Sequence, residues 1–193
     1  MAEELRVGFV TGATPDKWAR AWRERRPEPL TLVPVTEEEQ ESVVRRGEVD
    51  LCLVRLPVDT EGLHCIRLYD EQPVAVAGRD HLIAAADELT TGDLDDEQLV
   101  RPHASGWRPE ADQLDWPPMT EGEAIETVAA GTGVVVVPQS VARLFHRKDV
   151  VQRPVTDLPA TTVALVWRQD RDDDRCQAFV GVVRGRTANS SRG

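Results

Sequence analysis

The segment Leu5-Arg6-Val7-Gly8-Phe9-Val10 is mostly apolar and predicts the first strand, which would be buried. Residues 15–25 follow with apolar positions at helical spacing, and Leu30–Val35 is a second strand-like run. A helix then opens at Thr36 and ends near Gly47, before a third predicted strand at residues 49–54. This β-α-β-α-β order predicts an α/β protein that starts with a parallel sheet.

The same alternation continues through the rest of the chain. Thr120 to Glu123 forms a second capping box before an apolar helical stripe, and Gly131 and Gly133 end that helix. Pro138 is placed to begin another helix, and a final helix carries Cys176 and Phe179 on one face. Residues 104–118 have no period and predict a loop. Further strands are predicted at residues 73–77, 98–101, 134–137, 150–155 and 162–167.

Composition limits the classes of function. The 193 residues are 40% hydrophobic and 30% charged, which is typical of a soluble globular protein with one domain or two small lobes. No apolar run approaches the roughly 18 residues of a membrane span, and the acidic start is unlike a signal peptide, so we expect a cytoplasmic protein without membrane contact. The formal net charge of −11 argues against direct nucleic-acid binding.

Motifs for catalysis, metals and cofactors are missing from the sequence. The three cysteines, Cys52, Cys65 and Cys176, lack the spacing of a zinc site or a disulfide framework. The acidic run at residues 170–174 lacks the glycine and the distant glutamate of a calcium loop, and it predicts a solvated turn that caps the last helix. Gly131-Thr132-Gly133 follows a helix and lacks a third glycine, which does not fit a dinucleotide fingerprint. We therefore expect no catalytic residue, no metal and no cofactor.

The order and spacing of four segments resemble the effector-binding (substrate-binding) domain of LysR-type transcription regulators, from Leu5 to about Arg184. These segments are Leu5-Arg6-Val7-Gly8-Phe9-Val10, Trp22-Arg23-Glu24-Arg25-Arg26-Pro27, Arg46-Gly47-Glu48-Val49-Asp50-Leu51 and Val128-Ala129-Ala130-Gly131-Thr132-Gly133-Val134-Val135-Val136-Val137-Pro138. The family's N-terminal winged helix-turn-helix and linker helix are absent from this sequence. The region after His103 is also shorter than is usual in the family.

The resemblance implies two Rossmann-like lobes joined by two crossing strands, as in type 2 periplasmic binding proteins. The crossing strands would be at about residues 69–77 and 162–167. Lobe I would comprise residues 1–70 plus 165–193, and lobe II residues 71–164.

In lobe I, candidate ligand-binding residues follow the strand ends, where open α/β sheets bind ligands. Thr11, Gly12 and Ala13 form a small-residue turn; the alternative is a purely structural turn with Thr14 as N-cap. Thr36 is a cap that can also contact a ligand. Arg55 follows the third strand, where a branch of the family places an arginine, and it can clamp a carboxylate. The alternative for Arg55 is a surface ion pair.

In lobe II the resemblance implies that Arg101, Pro102 and His103 form a turn that faces the ligand cleft. His103 would donate to a ligand, or would simply be a polar loop residue. Residues 37–39, all glutamates, are interpreted as first-turn charge that favours the helix dipole. Trp18 and Trp22 are either core residues or part of a dimer interface.

The predicted function is that of the effector-binding domain of a LysR-like transcription regulator, without its DNA-binding domain. The predicted effector is a small anionic metabolite, and small organic acids are the first candidates. The resemblance implies a homodimer in which the first helix lies near residues 125–129 of the partner. One alternative is a free-standing ligand-binding protein, or one that pairs with a full-length regulator. The other is an enzyme on the same two-lobed scaffold.

Overall fold

A computed structural model describes residues 4–185 of the chain. The chain divides into two compact units, Met1–Tyr69 with Thr162–Gly193, and Asp70–Thr161. Each unit has its own β-sheet and its own apolar core. The predicted α/β class with two separate sheets is confirmed. The outer parts of the predicted first lobe, residues 1–3 and 186–193, lie outside the described residues.

The first unit contains a five-stranded sheet of order β2-β1-β3-β8-β4. β1 is parallel to both β2 and β3, which confirms the predicted β-α-β-α-β opening, whereas β3 pairs antiparallel with β8. The strands are β1 (Leu5–Val10), β2 (Leu30–Val35), β3 (Leu51–Arg55), β4 (Leu63–Glu71) and β8 (Thr161–Arg168).

The helices of the first unit are α1 (Asp16–Arg25), α2 (Gln40–Arg45) and α5 (Asp174–Val183). Trp18 and Trp22 lie in the core of this unit, and the Trp22 and Phe179 ring centroids are 6.0 Å apart. The indole of Trp22 donates to the carbonyl of Glu28 at 2.8 Å, which satisfies its buried N–H. Of the two interpretations of these tryptophans, the structure supports the core.

The second unit contains a three-stranded antiparallel sheet of order β6-β5-β7. Side chains alternate along β5, so Val74 and Val76 pack on one face while Ala75 and Ala77 pack on the other. The elements are β5 (Pro73–Gly78), α3 (Glu121–Ala129), β6 (Val135–Pro138), α4 (Gln139–Leu144) and β7 (Val150–Pro154), with 3-10 turns at Leu82–Ala85 and Thr91–Leu94. The predicted Thr120 capping box before α3 is confirmed.

The strand predicted at residues 98–101 is wrong. Leu99 makes only an isolated parallel bridge to Val134, in which the N–H of Val134 donates to the carbonyl of Gln98 and the N–H of Val100 donates to the carbonyl of Val134; on its other side, the N–H of Leu99 donates to the side-chain oxygen of Gln113 at 2.7 Å. The side chain of Gln98 likewise bonds the loop, donating to the carbonyl of Asp112 and accepting from the N–H of Leu114. Side-chain amides thus bond this segment to the following loop, and the backbone pairing with Val134 does not extend beyond a single bridge.

The predicted crossing strand at residues 69–77 is also corrected. It is two strands, β4 and β5, separated at Gln72, and the units divide between Tyr69 and Asp70. Pro73 begins β5 and cannot donate to a ladder, which accounts for the interruption. Within the part of the chain that the structure describes, no helix is long and apolar enough to cross a membrane.

Candidate functional site

The turn after β1 is built from small residues. Gly12 has φ +84°, a left-handed conformation that glycine adopts without strain, and the N–H of Ala13 donates to the carbonyl of Val10 at 3.0 Å. The residue that precedes α1 is Pro15, whose carbonyl accepts from Trp18 and Ala19, so the alternative of Thr14 as N-cap is wrong. Proline suits a helix start because its own nitrogen needs no partner there.

The turn after β2 differs from the predicted helix start. The N–H of Glu39 donates to both the carbonyl and the hydroxyl of Thr36, each at 3.2 Å, but the assigned helix α2 begins only at Gln40. Residues 37–39 therefore form a hydrogen-bonded turn and not a first helical turn. This moves Glu37 out of the helix and towards the end of β3.

Arg55 is the last residue of β3, and only 3% of it is exposed. Its main chain is held by Gln40, whose side-chain oxygen accepts from the Arg55 N–H at 2.8 Å and whose amide nitrogen donates to the Arg55 carbonyl at 3.1 Å. Its guanidinium Nη1 donates to Oε1 of Glu37 at 2.8 Å. The alternative of an ion pair with an acidic neighbour is therefore what the structure shows, although Arg55 is buried and not on the surface.

Sequence reasoning missed Glu37 and Gln40 as members of this site. Glu37 was interpreted as charge for a helix dipole, whereas it is the carboxylate partner of Arg55. The available signal was topological: β2 and β3 both run parallel to β1, so the turn after β2 and the end of β3 reach the same edge of the sheet.

In the second unit, Arg101 is likewise paired within the chain. Its Nε donates to the carbonyl of Met119 at 3.1 Å, and its Nη2 lies 3.1 Å from a carboxylate oxygen of Glu121, the first residue of α3. Pro102 follows as an exposed residue. In each unit, therefore, a glutamate of the same chain pairs with the predicted arginine.

His103 is partly buried and bonded within its own turn. Its Nδ1 accepts from the N–H of Ser105 at 3.3 Å and lies 2.8 Å from the Ser105 hydroxyl, and its ring meets Trp107 edge-on at 6.3 Å. Burial, with a smaller contribution from the charge of Arg101, lowers the pKa of His103 below its usual 6.5. The lowered pKa favours the neutral ring, and the N–H of Ser105 donating to Nδ1 fits the tautomer with its proton on Nε2.

One surface depression lies away from the predicted site residues. A depression of about 810 Å³ in the second unit is lined mainly by exposed residues, among them Arg79, Leu82 and Lys148. Residues 104–118, all of which the structure describes, form neither helix nor strand, as predicted. Residues 4–185 contain no group of three histidine, cysteine or acidic residues arranged to hold a metal.

The predicted residues offer three kinds of chemical group. The turn at Thr11, Gly12 and Ala13 offers a hydroxyl and a close approach to the backbone, whereas Arg55 and Arg101 offer guanidinium groups suited to carboxylates. His103 adds a neutral ring. Each arginine can bind an anion in its own unit, and each already binds a carboxylate of the chain itself.

Comparison with known proteins gives a consistent result. The family model for the LysR substrate binding domain matches residues 1–188. The Hca operon transcriptional activator HcaR of Escherichia coli is 27% identical over 206 residues, which cover 96% of this chain and 69% of that protein. A probable hydrogen peroxide-inducible genes activator of Mycobacterium avium is 33% identical over 180 residues, covering 83% of this chain and 57% of that protein.

Among solved structures, the reduced form of the OxyR regulatory domain from Pseudomonas aeruginosa superposes with a TM-score of 0.75. The two sequences are 21% identical, and the superposition covers 94% of this chain and 95% of that domain. At this level of identity, the superposition shows a shared fold.

Proposed function

The chain belongs to the LysR substrate-binding domain family, and we propose that the effector it binds is a small organic acid. The observation that carries the proposal is the buried Arg55 at the end of β3, which binds a carboxylate oxygen at 2.8 Å. A buried guanidinium at a strand end can bind a carboxylate, and its planar charged donors favour oxyanions of that geometry over neutral groups.

The net negative charge of the whole chain opposes the binding of an anion, but only weakly. A net charge of −11 slows the approach of an anion. However, exposed charges farther away than about 8–10 Å are largely screened at physiological ionic strength. A desolvated contact with Arg55 is screened much less, so the local donors dominate affinity.

We also propose that the chain acts by binding and not by catalysis. The two relatives named above are both activators of transcription. The hydroxyl of Ser105 lies within hydrogen-bond distance of His103, as a nucleophile lies near its base. However, the same hydroxyl accepts from the N–H of Trp107 two residues later, so its contacts are those of a local turn.

A homodimer fits the surface charges of two helices. The exposed residues of α1 include Lys17, Arg20 and Arg23, whereas those of α3 include Glu123 and Glu126. We propose that α1 of one chain lies against α3 of its partner, where these opposite charges face each other. Opposite charges of this kind set orientation and specificity more than affinity.

The proposed setting is the cytoplasm, where a transcription regulator acts, with DNA contact made by segments other than residues 4–185. Neutralising phosphates requires clustered cations, which a chain of net charge −11 supplies poorly. A full-length regulator is one candidate partner.

A thermal-shift screen tests the proposed ligand class. Benzoate, salicylate, succinate and related aromatic and dicarboxylic acids are compared with their uncharged amides at constant ionic strength. We expect at least one acid to raise the melting temperature while its amide does not. Stabilisation by neutral or cationic compounds and by none of the acids would overturn the proposal.

A further inference from the structure

We propose that the turn at residues 103–107 is a proton-sensitive switch: it is closed while the His103 ring is neutral, and it opens when the ring takes up a proton. This device goes beyond the proposed function and requires no ligand. It makes the conformation of a segment that was predicted to face the ligand, Arg101 to His103, depend on pH.

The Nδ1 atom of His103 is the central acceptor of the turn. It accepts from the N–H of Ser105 at 3.3 Å and lies 2.8 Å from the Ser105 hydroxyl. The oxygen of that hydroxyl accepts in turn from the N–H of Trp107 at 3.3 Å. The hydroxyl can therefore donate to Nδ1 while it accepts from Trp107, and this arrangement needs an unprotonated Nδ1.

The segment that contains the turn has little other hydrogen bonding. Within the part of the chain that the structure describes, every hydrogen bond of residues 102–110 lies inside the turn. Apart from the bonds of the His103 ring and the Ser105 hydroxyl, the N–H of Gly106 donates to the carbonyl of His103 at 2.9 Å. Loss of Nδ1 as an acceptor therefore removes most of the hydrogen bonding of this segment.

A protonated ring cannot serve as this acceptor. Both nitrogens of an imidazolium carry hydrogen, so Nδ1 would then face the Ser105 N–H as one donor facing another. Burial, and to a smaller extent the charge of Arg101, lowers the pKa of His103 below its usual 6.5. Arg101 stays beside the ring because it is held by Glu121 at 3.1 Å.

Opening the turn relieves both penalties. In the open form the ring reaches solvent, and the pKa of His103 returns towards 6.5. A proton therefore binds the open form more tightly than the closed form, and acidification shifts the population towards the open form.

The open form changes the surroundings of Trp107. In the closed turn its ring meets the His103 ring edge-on at 6.3 Å, and its side chain packs against an apolar cluster that includes Leu99 and Val136. Opening removes the acceptor chain that holds the Trp107 N–H. The protonation state of one histidine thereby sets the environment of one tryptophan.

The test follows the main-chain amide signals of Ser105 and Trp107 by proton–nitrogen correlation NMR of the full chain, together with the ring signals of His103, from about pH 7.5 to about pH 5. We expect both amide signals to shift along the same titration curve as the ring, with a midpoint below pH 6.5. Protection of the Ser105 amide from solvent exchange, relative to its intrinsic rate, should fall about three- to tenfold, as for the loss of one hydrogen bond.

Two matched variants make the result specific. In His103→Asn the side-chain oxygen can accept from the N–H two residues later, as in an Asx turn, and it takes up no proton in this pH range. Its turn should stay closed, and the Ser105 amide signal should not titrate. His146→Asn removes an exposed histidine outside the turn and should leave the titration of Ser105 and Trp107 unchanged.

Amide signals of Ser105 and Trp107 that stay constant while the His103 ring titrates would overturn the switch. The same pH dependence in the His103→Asn variant would also overturn it. If that variant does not fold, the unaltered chain decides alone: joint titration of the ring and the two amides supports the switch, and independent titration contradicts it.

Discussion

The side-chain amide of Gln40 makes two hydrogen bonds to the main chain of Arg55, one at 2.8 Å to its N–H and one at 3.1 Å to its carbonyl. Both residues are more than nine-tenths buried. The first residue of α2 is thereby tied to the last residue of β3. This contact fixes the main-chain position from which the Arg55 guanidinium extends towards Glu37.

Replacing Gln40 should therefore destabilise the protein. Gln40→Met keeps the length of the side chain but leaves two buried main-chain groups without their partner, and each such group costs about 1–3 kcal/mol. We expect the free energy of unfolding in urea to fall by about 2–6 kcal/mol. Gln177→Met, the same change at an exposed position, should cost far less. Similar losses in both variants would show that the Gln40 contact is not structural.

The two glycines after α3 should respond differently to alanine. Both have positive φ, +91° at Gly131 and +63° at Gly133, which strains any L-residue by about 1–2 kcal/mol. A Cβ at Gly131 has open space, whereas one at Gly133 would lie 2.3 Å from the carbonyl oxygen of Gln98. We expect Gly131→Ala to cost about that strain and Gly133→Ala at least about 2 kcal/mol more.

Chemical denaturation of both variants measures this difference. Equal costs would contradict the close approach of the Gly133 main chain to Gln98. A larger loss of unfolding free energy for Gly131→Ala would show that Gly131, and not Gly133, is the more crowded position.

Much of the fold is predictable because the spacing of apolar residues and short capping motifs indicate many of its strands and helices. The strands β1 and β2 are mostly apolar segments, and the α3 capping box is a short-range signal that predicts Thr120 as the N-cap of the helix. β4 was only partly predicted, since its apolar residues do not alternate regularly and several of its side chains are exposed. Such an edge strand is defined by its neighbour and not by its own pattern.

The parts that failed depend on long-range partners. The segment around Leu99 pairs with Val134 through a single bridge only, and its other edge bonds Gln113 of the following loop, which no local pattern indicates. Arg55 was identified as a site residue, but three consecutive glutamates at residues 37–39 gave no local reason to choose Glu37 as its partner. Only the folded turn decides which carboxylate reaches the guanidinium.

The lowered pKa of His103 predicts a dependence of stability on pH. Burial first, and then the charge of Arg101, disfavour the protonated ring in the folded protein. As the pH falls below about 6.5, the unfolded chain therefore binds a proton more readily than the folded chain. The contribution of His103 is present above that pH and is lost as the pH falls through the folded pKa.

His103→Gln removes this titration. Between pH 7 and pH 5 the unaltered chain should lose more unfolding free energy than the variant, measured by denaturant titration at each pH. Parallel pH profiles for the two proteins would contradict the burial of the ring.

The proposed dimer makes a charge-reversal experiment possible. Arg20→Glu places a negative charge on the exposed face of α1, opposite the proposed position of Glu126 on α3 of the partner. We expect weaker dimerisation by light scattering, and recovery when Arg20→Glu is combined with Glu126→Arg. Dimerisation that is unaffected by either change would place the interface elsewhere, and a monomer at high concentration would exclude it.

The most direct test of the account is calorimetric titration of an acid that stabilises the unaltered chain into Arg55→Met and Arg20→Met variants. Both changes remove one arginine charge, but only Arg55 is buried beside a carboxylate. A charge-assisted hydrogen bond contributes about 1.5–3 kcal/mol, so we expect Arg55→Met to weaken binding by roughly 10- to 150-fold while Arg20→Met leaves it within about twofold. Unchanged affinity in the Arg55→Met variant would contradict the claim that this domain recognises its effector through Arg55.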